Sequence, residues 1–103
     1  MNIKLDGHAK IVLGKQEGSY TLTSTLVNGK ENWMHVQGSN AIWYDNIHKN
    51  WKIGPIENIG TSTCSIKSTI HTNRPEQALL WNYVNHESEW MPTSNIFGSS
   101  GMY

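Results

Sequence analysis

Gly38-Ser39-Asn40-Ala41-Ile42-Trp43-Tyr44-Asp45 sets three large apolar side chains in a row between turn-forming residues, and Asn50-Trp51-Lys52-Ile53-Gly54 follows after a short polar gap. The run is too short and too aperiodic for a helix, so it reads as a strand. Successive side chains on a strand point to opposite faces. Trp43 therefore faces away from Ile42 and Tyr44, and no register hides all three against one layer. Either both faces of this strand are covered, or the protein displays a large aromatic surface.

The flanking sequence supplies antiparallel partners. After Gly18, Tyr20, Leu22 and Leu26 share one face while Thr21, Thr23 and Thr25 share the other, the alternation of a half-buried strand. Asn28-Gly29 comes next, and both residues tolerate the positive φ that a type I′ hairpin turn demands. Residues 31–36 return as a strand that ends at Gly38. Residues 41–45 and 51–53 form a second hairpin around the polar turn 46–50, and Gly54-Pro55 stops it because proline has no N–H for an interior ladder.

Further out, residues 9–13 read as a first strand and residues 56–63 as a loop. Residues 64–70 alternate again, with Cys64, Ile66 and Ile70 on one face. Pro75 occupies a plausible first helical position with helix formers behind it. A loop running into a strand at residues 81–85 is the expected course there, with a helical turn at 75–79 as the alternative. Residues 89–91 form the last paired strand after a turn at 85–88, residues 94–97 add an edge, and Gly98-Ser99-Ser100-Gly101 reads as flexible. The expected class is all-β, a small antiparallel meander of roughly 7–9 short strands forming a sandwich or barrel. The 103 residues fit one domain, with a module core at about 18–91 and a flexible tail at about 98–103.

Composition narrows the function classes. Lys and Arg together number 8, Asp and Glu number 8, and Arg74 is the single arginine. Phosphate binding leaves a basic stripe and favours Arg, so nucleic acid is not an expected partner. No apolar run approaches the roughly 20 residues of a membrane helix. The amino-terminal residues lack the apolar stretch of a signal peptide, which leaves the compartment open between cytosolic and processed forms. One cysteine, Cys64, excludes an internal disulfide framework.

Gly18-x-Tyr20, Val27-Asn28-Gly29-Lys30, Trp33, Gly38, Ala41-Ile42-Trp43-Tyr44-Asp45, Trp51-x-Ile53, Gly60 and Trp81 resemble a family of small Trp/Gly-patterned modules in predicted proteins of aquatic eukaryotes. The resemblance spans residues 18–91. It implies an all-β module of this size with a binding role of extracellular type, and it brings no catalytic residues.

Signals for chemistry are weak. His8, His35, His48, His71 and His86 form no metal-ligand spacing, so solvated or locally bonded histidines are expected and no metal site or cofactor. Cys64 alternates with Ile66 and Ile70 and reads as a small core residue. Glu87 and Glu89 lie at a turn, without the cleft that paired carboxylates need. No enzyme activity is expected.

Five tryptophans mixed with many asparagines are what remains. An indole face packs against the apolar face of a sugar ring, and Asn amides both donate to and accept from hydroxyls. A non-enzymatic glycan-binding module is therefore the first expectation, with Trp33, Trp43, Tyr44, Trp51, Asn40 and Asn50 as ligand-binding residues. The second is a self-assembling subunit whose off-core aromatics and strand edges are buried by like chains, since zero net charge removes long-range repulsion.

Overall fold

The computed structural model describes residues 2–5, 18–36, 38–69, 71–78, 80–84, 87–93 and 97–102. Among the described residues nine strands follow one another: β1 (Asn2–Leu5), β2 (Gly18–Leu22), β3 (Trp33–His35), β4 (Asn40–Asp45), β5 (Asn50–Pro55), β6 (Ile66–Ser68), β7 (Trp81–Val84), β8 (Trp90–Thr93) and β9 (Phe97–Met102). They form one antiparallel sheet in the order β8-β7-β6-β5-β4-β3-β2-β1-β9. Chain neighbours are thus sheet neighbours throughout the meander, and only β9 departs, returning to pair with β1. Laid flat, nine strands at about 4.8 Å spacing would span about 38 Å. The longest dimension of the molecule is 33 Å, so the sheet curls. Of the two architectures left open by the sequence, a pair of stacked sheets is replaced by one continuous curled sheet.

Register sorts the side chains into two faces. Trp33↔Ile42, Ile42↔Ile53, Tyr44↔Trp51 and Ile53↔Ile66 stand opposite one another on the concave face. Together with Tyr20, Ala78 and Trp81 they make the core. The opposite face carries Trp43 across from Lys52. Yet all six residues of β4 are buried, because residues 56–65 fold back over this outer face. The Trp43 indole donates from Nε1 to the Thr61 carbonyl at 2.9 Å. The Ser62 hydroxyl donates to Asp45 at 2.9 Å. A Cβ on Gly54 would stand 3.2 Å from the Cα of Cys64 and 3.4 Å from the Trp43 ring; glycine is what allows loop and strand to meet so closely. The first horn of the sequence dilemma holds: both faces are covered.

The Asn28-Gly29 turn forms as expected, with φ of 55° and 79° and Val27 and Lys30 exchanging backbone bonds at 2.9 and 3.1 Å. The strand leading to it does not run through. Thr23 Oγ1 and Asn32 Nδ2 both donate to the Thr25 carbonyl, at 3.0 and 2.6 Å. Such side-chain bonds compete with the ladder, so β2 stops at Leu22 and Leu26 is 67% exposed.

Other expectations are revised. The strand expected at residues 9–13 lies outside the described residues, and the first described strand is Asn2–Leu5. A short 3-10 turn, Pro75–Gln77, realises the alternative considered for residues 75–79. Gly98-Ser99-Ser100-Gly101 belongs to β9, paired with β1; backbone pairing orders a stretch whose composition suggests a linker. Cys64 is half-buried in the covering loop over Gly54, ahead of β6, where the sequence placed it within a strand facing the core.

Candidate functional site

In a meander every second connection falls at the same end of the sheet. Residues 23–32, 46–49 and 69–80 therefore crowd one rim. Two of these connections, with Trp33 and Trp51 between them, enclose a cleft of about 230 Å³ lined by Leu26, Gly29, Lys30, Glu31, Trp33, Trp51 and Asn73. Its floor is aromatic. Trp51 meets Trp33 edge-on at 6.0 Å and Tyr44 edge-on at 5.2 Å, the arrangement that aromatic quadrupoles favour.

Cations lie against these rings. Lys30 Nζ is 5.2 Å from the centre of the Tyr44 ring, and the Arg74 guanidinium is 5.5 Å from that of Trp33. Arg74 also pairs loosely with Glu31 at 3.5 Å. The Trp51 indole donates to the Thr72 carbonyl at 2.9 Å, which ties the floor to the rim. Tyr44 Oη and His71 Nδ1 share a hydrogen bond of 2.7 Å. Burial raises the Tyr44 hydroxyl above its ordinary pKa, and the nearby Asp45 charge adds to this, so the phenol keeps its proton. The Trp33 indole differs from those of Trp43, Trp51 and Trp81: its Nε1 is buried with no acceptor among the described residues. A buried donor left unpaired is costly.

The expected ligand residues divide accordingly. Trp33 and Trp51 come together in the cleft floor, but each is only 1% exposed, so almost none of the ring surface that the sequence suggested is open. Tyr44 is buried behind them, with Lys30 above its ring. Trp43 lies on the other side of the sheet beneath residues 56–65, closed to any ligand from outside. Asn40 is buried at the far end of β4, opposite Pro55. Asn50 stands at the start of β5, where its amide donates to the Ser68 carbonyl at 3.1 Å and its Oδ1 is buried without a partner among the described residues. The sequence reading passed over Lys30, Glu31 and Asn73. The Asn28-Gly29 turn signal pointed to the first two; Asn73 carried no signal. It also passed over Trp90, the one half-exposed tryptophan at 42%, which lies under the Lys67 ammonium at 4.1 Å.

A second polar cluster sits on the covered face. Asp45 Oδ1 accepts from the backbone N–H of Ile47 at 2.8 Å, and Oδ2 accepts from His48 Nδ1 at 2.7 Å and Ser62 Oγ at 2.9 Å. Lys52 Nζ, itself buried, completes it at 3.3 Å. Burial pushes the Asp45 carboxyl upward, but the bonds from His48, Ile47, Ser62 and Lys52 together outweigh burial and hold it well below the usual carboxylate range. Aspartate, histidine and serine thus meet without forming a catalytic relay. The serine proton goes to the carboxylate, no imidazole is placed to take it, and a saturated, strongly acidic carboxylate is a poor base. The cluster pins the covering loop to the end of β4.

Among the described residues, no group of three His, Cys, Asp or Glu side chains could hold a metal ion. Comparison with protein-family models, with curated proteins and with solved structures finds no match to this chain. Residue roles therefore rest on geometry alone.

Proposed function

We propose that the protein is a non-enzymatic binding module that takes a saccharide in the rim cleft between the 26–33 hairpin and the 71–74 segment. One observation carries this: an aromatic floor and a polar rim converge on one concavity, and Trp33, a residue of that floor, has a buried indole N–H with no acceptor among the described residues. Sites of this kind combine apolar walls with a few convergent polar groups. At about 230 Å³ the cleft falls below the roughly 300–1,000 Å³ of drug-sized pockets, which suits one sugar ring. Lys30, Glu31 and Asn73 supply donors and acceptors for hydroxyls. The test is a panel of monosaccharides and short oligosaccharides titrated into the 15N-labelled chain. Shifts centred on Gly29, Lys30, Glu31, Asn73 and the Trp33 indole are expected. Absence of any response across the panel, or a response centred on Trp90, refutes this site.

Self-assembly is the second reading, favoured by Trp90 and Met91, 42% and 38% exposed on the terminal strand β8. The ladder works against it. Val84 N–H donates to the Ser65 carbonyl and Thr69 N–H to the Leu80 carbonyl, just ahead of β7, so residues 82 and 84 of β7 bond toward β6 and residues 81 and 83 toward β8. Met91 and Thr93, opposite Tyr83 and Trp81, then bond inward. Trp90 and Pro92 face the free edge, and Pro92 has no N–H to offer there. Proline at an outward position is a recognised block to edge pairing.

A further inference from the structure

We infer that Asn28 is a self-modifying residue: its side-chain amide closes onto the Gly29 nitrogen, and the aspartate or isoaspartate that results unties the rim hairpin from β4. This chemistry is independent of what the cleft binds. Asn28 is the one asparagine of the chain that a glycine follows. A cyclic imide forms when the backbone nitrogen after an asparagine attacks the side-chain Cγ, and glycine, without a Cβ, leaves that approach uncrowded. The structure keeps it open. Both residues are exposed, and a Cβ built on Gly29 would meet nothing within 4 Å. Val27 and Lys30 exchange the backbone bonds of the turn, and among the described residues the Gly29 N–H makes no hydrogen bond. In the reaction that nitrogen gives its proton to water and bonds to Cγ, while the Cγ–Nδ2 bond breaks and ammonia leaves. Water then adds to either imide carbonyl and opens the ring to aspartate or isoaspartate.

The amide that is lost holds the hairpin in place. Asn28 Nδ2 donates to the Tyr44 carbonyl at 2.7 Å and reaches toward the Gly60 carbonyl at 3.5 Å. It thus bonds β4 at a residue that the β3–β4 ladder, whose last pair is Trp33↔Ile42, does not reach. An ionised carboxyl has no N–H and only accepts, so after conversion a negative oxygen stands against those two carbonyl oxygens. Isoaspartate also adds a carbon to the main chain of a two-residue turn whose length fixes the pairing of its flanks. Gly29 and Lys30 line the cleft, so its wall shifts with the turn. The same bond to Tyr44 slows the reaction, because the side chain must leave that carbonyl before Cγ is attacked.

The full chain and a peptide of residues 24–33, incubated side by side at mildly alkaline pH, test this, with peptide mapping by mass spectrometry to locate isoaspartate. Asn28 is expected to convert first among the asparagines, and about fivefold more slowly than in the peptide, the worth of one net hydrogen bond. Another asparagine converting ahead of it, or an intact Asn28 once the peptide is spent, overturns the assignment. Equal rates in chain and peptide overturn the hold by Tyr44. Asn28→Asp tolerates the same positive φ and installs one product directly. It should raise the unfolding equilibrium constant about tenfold and move the Gly29 and Lys30 amide signals. A variant with the parent's stability and spectrum overturns the untying.

Discussion

Trp43 tests the architecture most directly. If residues 56–65 seal the outer face, Trp43→Ala removes a fully buried indole and its bond to the Thr61 carbonyl. An aromatic side chain of this kind buries roughly 150–250 Å², which at about 25 cal/mol per Å² corresponds to roughly 4–6 kcal/mol. Large-to-small changes of Trp or Phe in cores cost about 3–5 kcal/mol. The freed Thr61 carbonyl adds little, since Thr61 is exposed and water replaces the indole. A loss of about 4 kcal/mol is expected, a large part of the roughly 5–15 kcal/mol that holds a domain together. At 4–8 °C per kcal/mol for a domain of about this size, the melting midpoint should fall by roughly 15–30 °C. Trp43→Phe, which keeps most of the ring, should lose under half as much. Urea unfolding followed by circular dichroism, with the thermal midpoint beside it, measures both. A Trp43→Ala chain within about 0.5 kcal/mol of the parent, the usual range for surface changes, refutes the covered face and returns Trp43 to the list of ligand candidates.

Asp45 sets the acid limit of the fold. Because its folded pKa lies below the ordinary 3.8, it stabilises the native chain above about pH 4 and that contribution is lost as pH falls further. Asp45→Asn, which leaves Lys52 buried without its counter-charge, should cost roughly 3 kcal/mol at pH 7 and flatten the urea midpoint between about pH 5 and pH 2. An unchanged acid profile in the variant contradicts this. Gly54→Ala drives a Cβ to 3.2 Å from the Cα of Cys64; backbone cannot step aside as a side chain does, so a loss of roughly 1–3 kcal/mol is expected, and a neutral result in the same urea assay places the covering loop further from β5. Pro92→Thr restores an outward N–H on β8, and sedimentation velocity should show more self-association than in the parent; no change means that this edge is not where chains meet.

Local chemistry made much of the fold legible. Asn28-Gly29 fixed a hairpin because few other pairs adopt two successive positive φ angles, and both do so here. The apolar triplet with Trp51 and Ile53 located β4 and β5, since the period of two is written into which residues are large. Alternation failed at Leu26, where Thr23 and Asn32 draw the backbone away through their own hydrogen bonds. Composition failed at Gly98–Gly101, because an edge strand is held by backbone groups that every residue possesses. The candidate site was the least legible part. Trp33 and Trp51 were named, but Lys30, Glu31 and Asn73 join them from connections distant in sequence. Nothing local to Asn73 says that it shares a rim with Gly29.

The sequence by itself determined that this chain is an antiparallel meander with more aromatic side chains than one face can hold. That follows from strand geometry, which sends adjacent residues to opposite sides whatever surrounds them. How the excess is handled was decided by the tertiary structure. A polar loop of threonines, serines and Gly60 carries no hydrophobic pattern to announce where it will lie. Its place over Trp43 is set by the bonds from Trp43 and Ser62, by the bare Cα of Gly54, and by a buried Asp45–Lys52 pair, contacts that exist only once separate strands stand side by side.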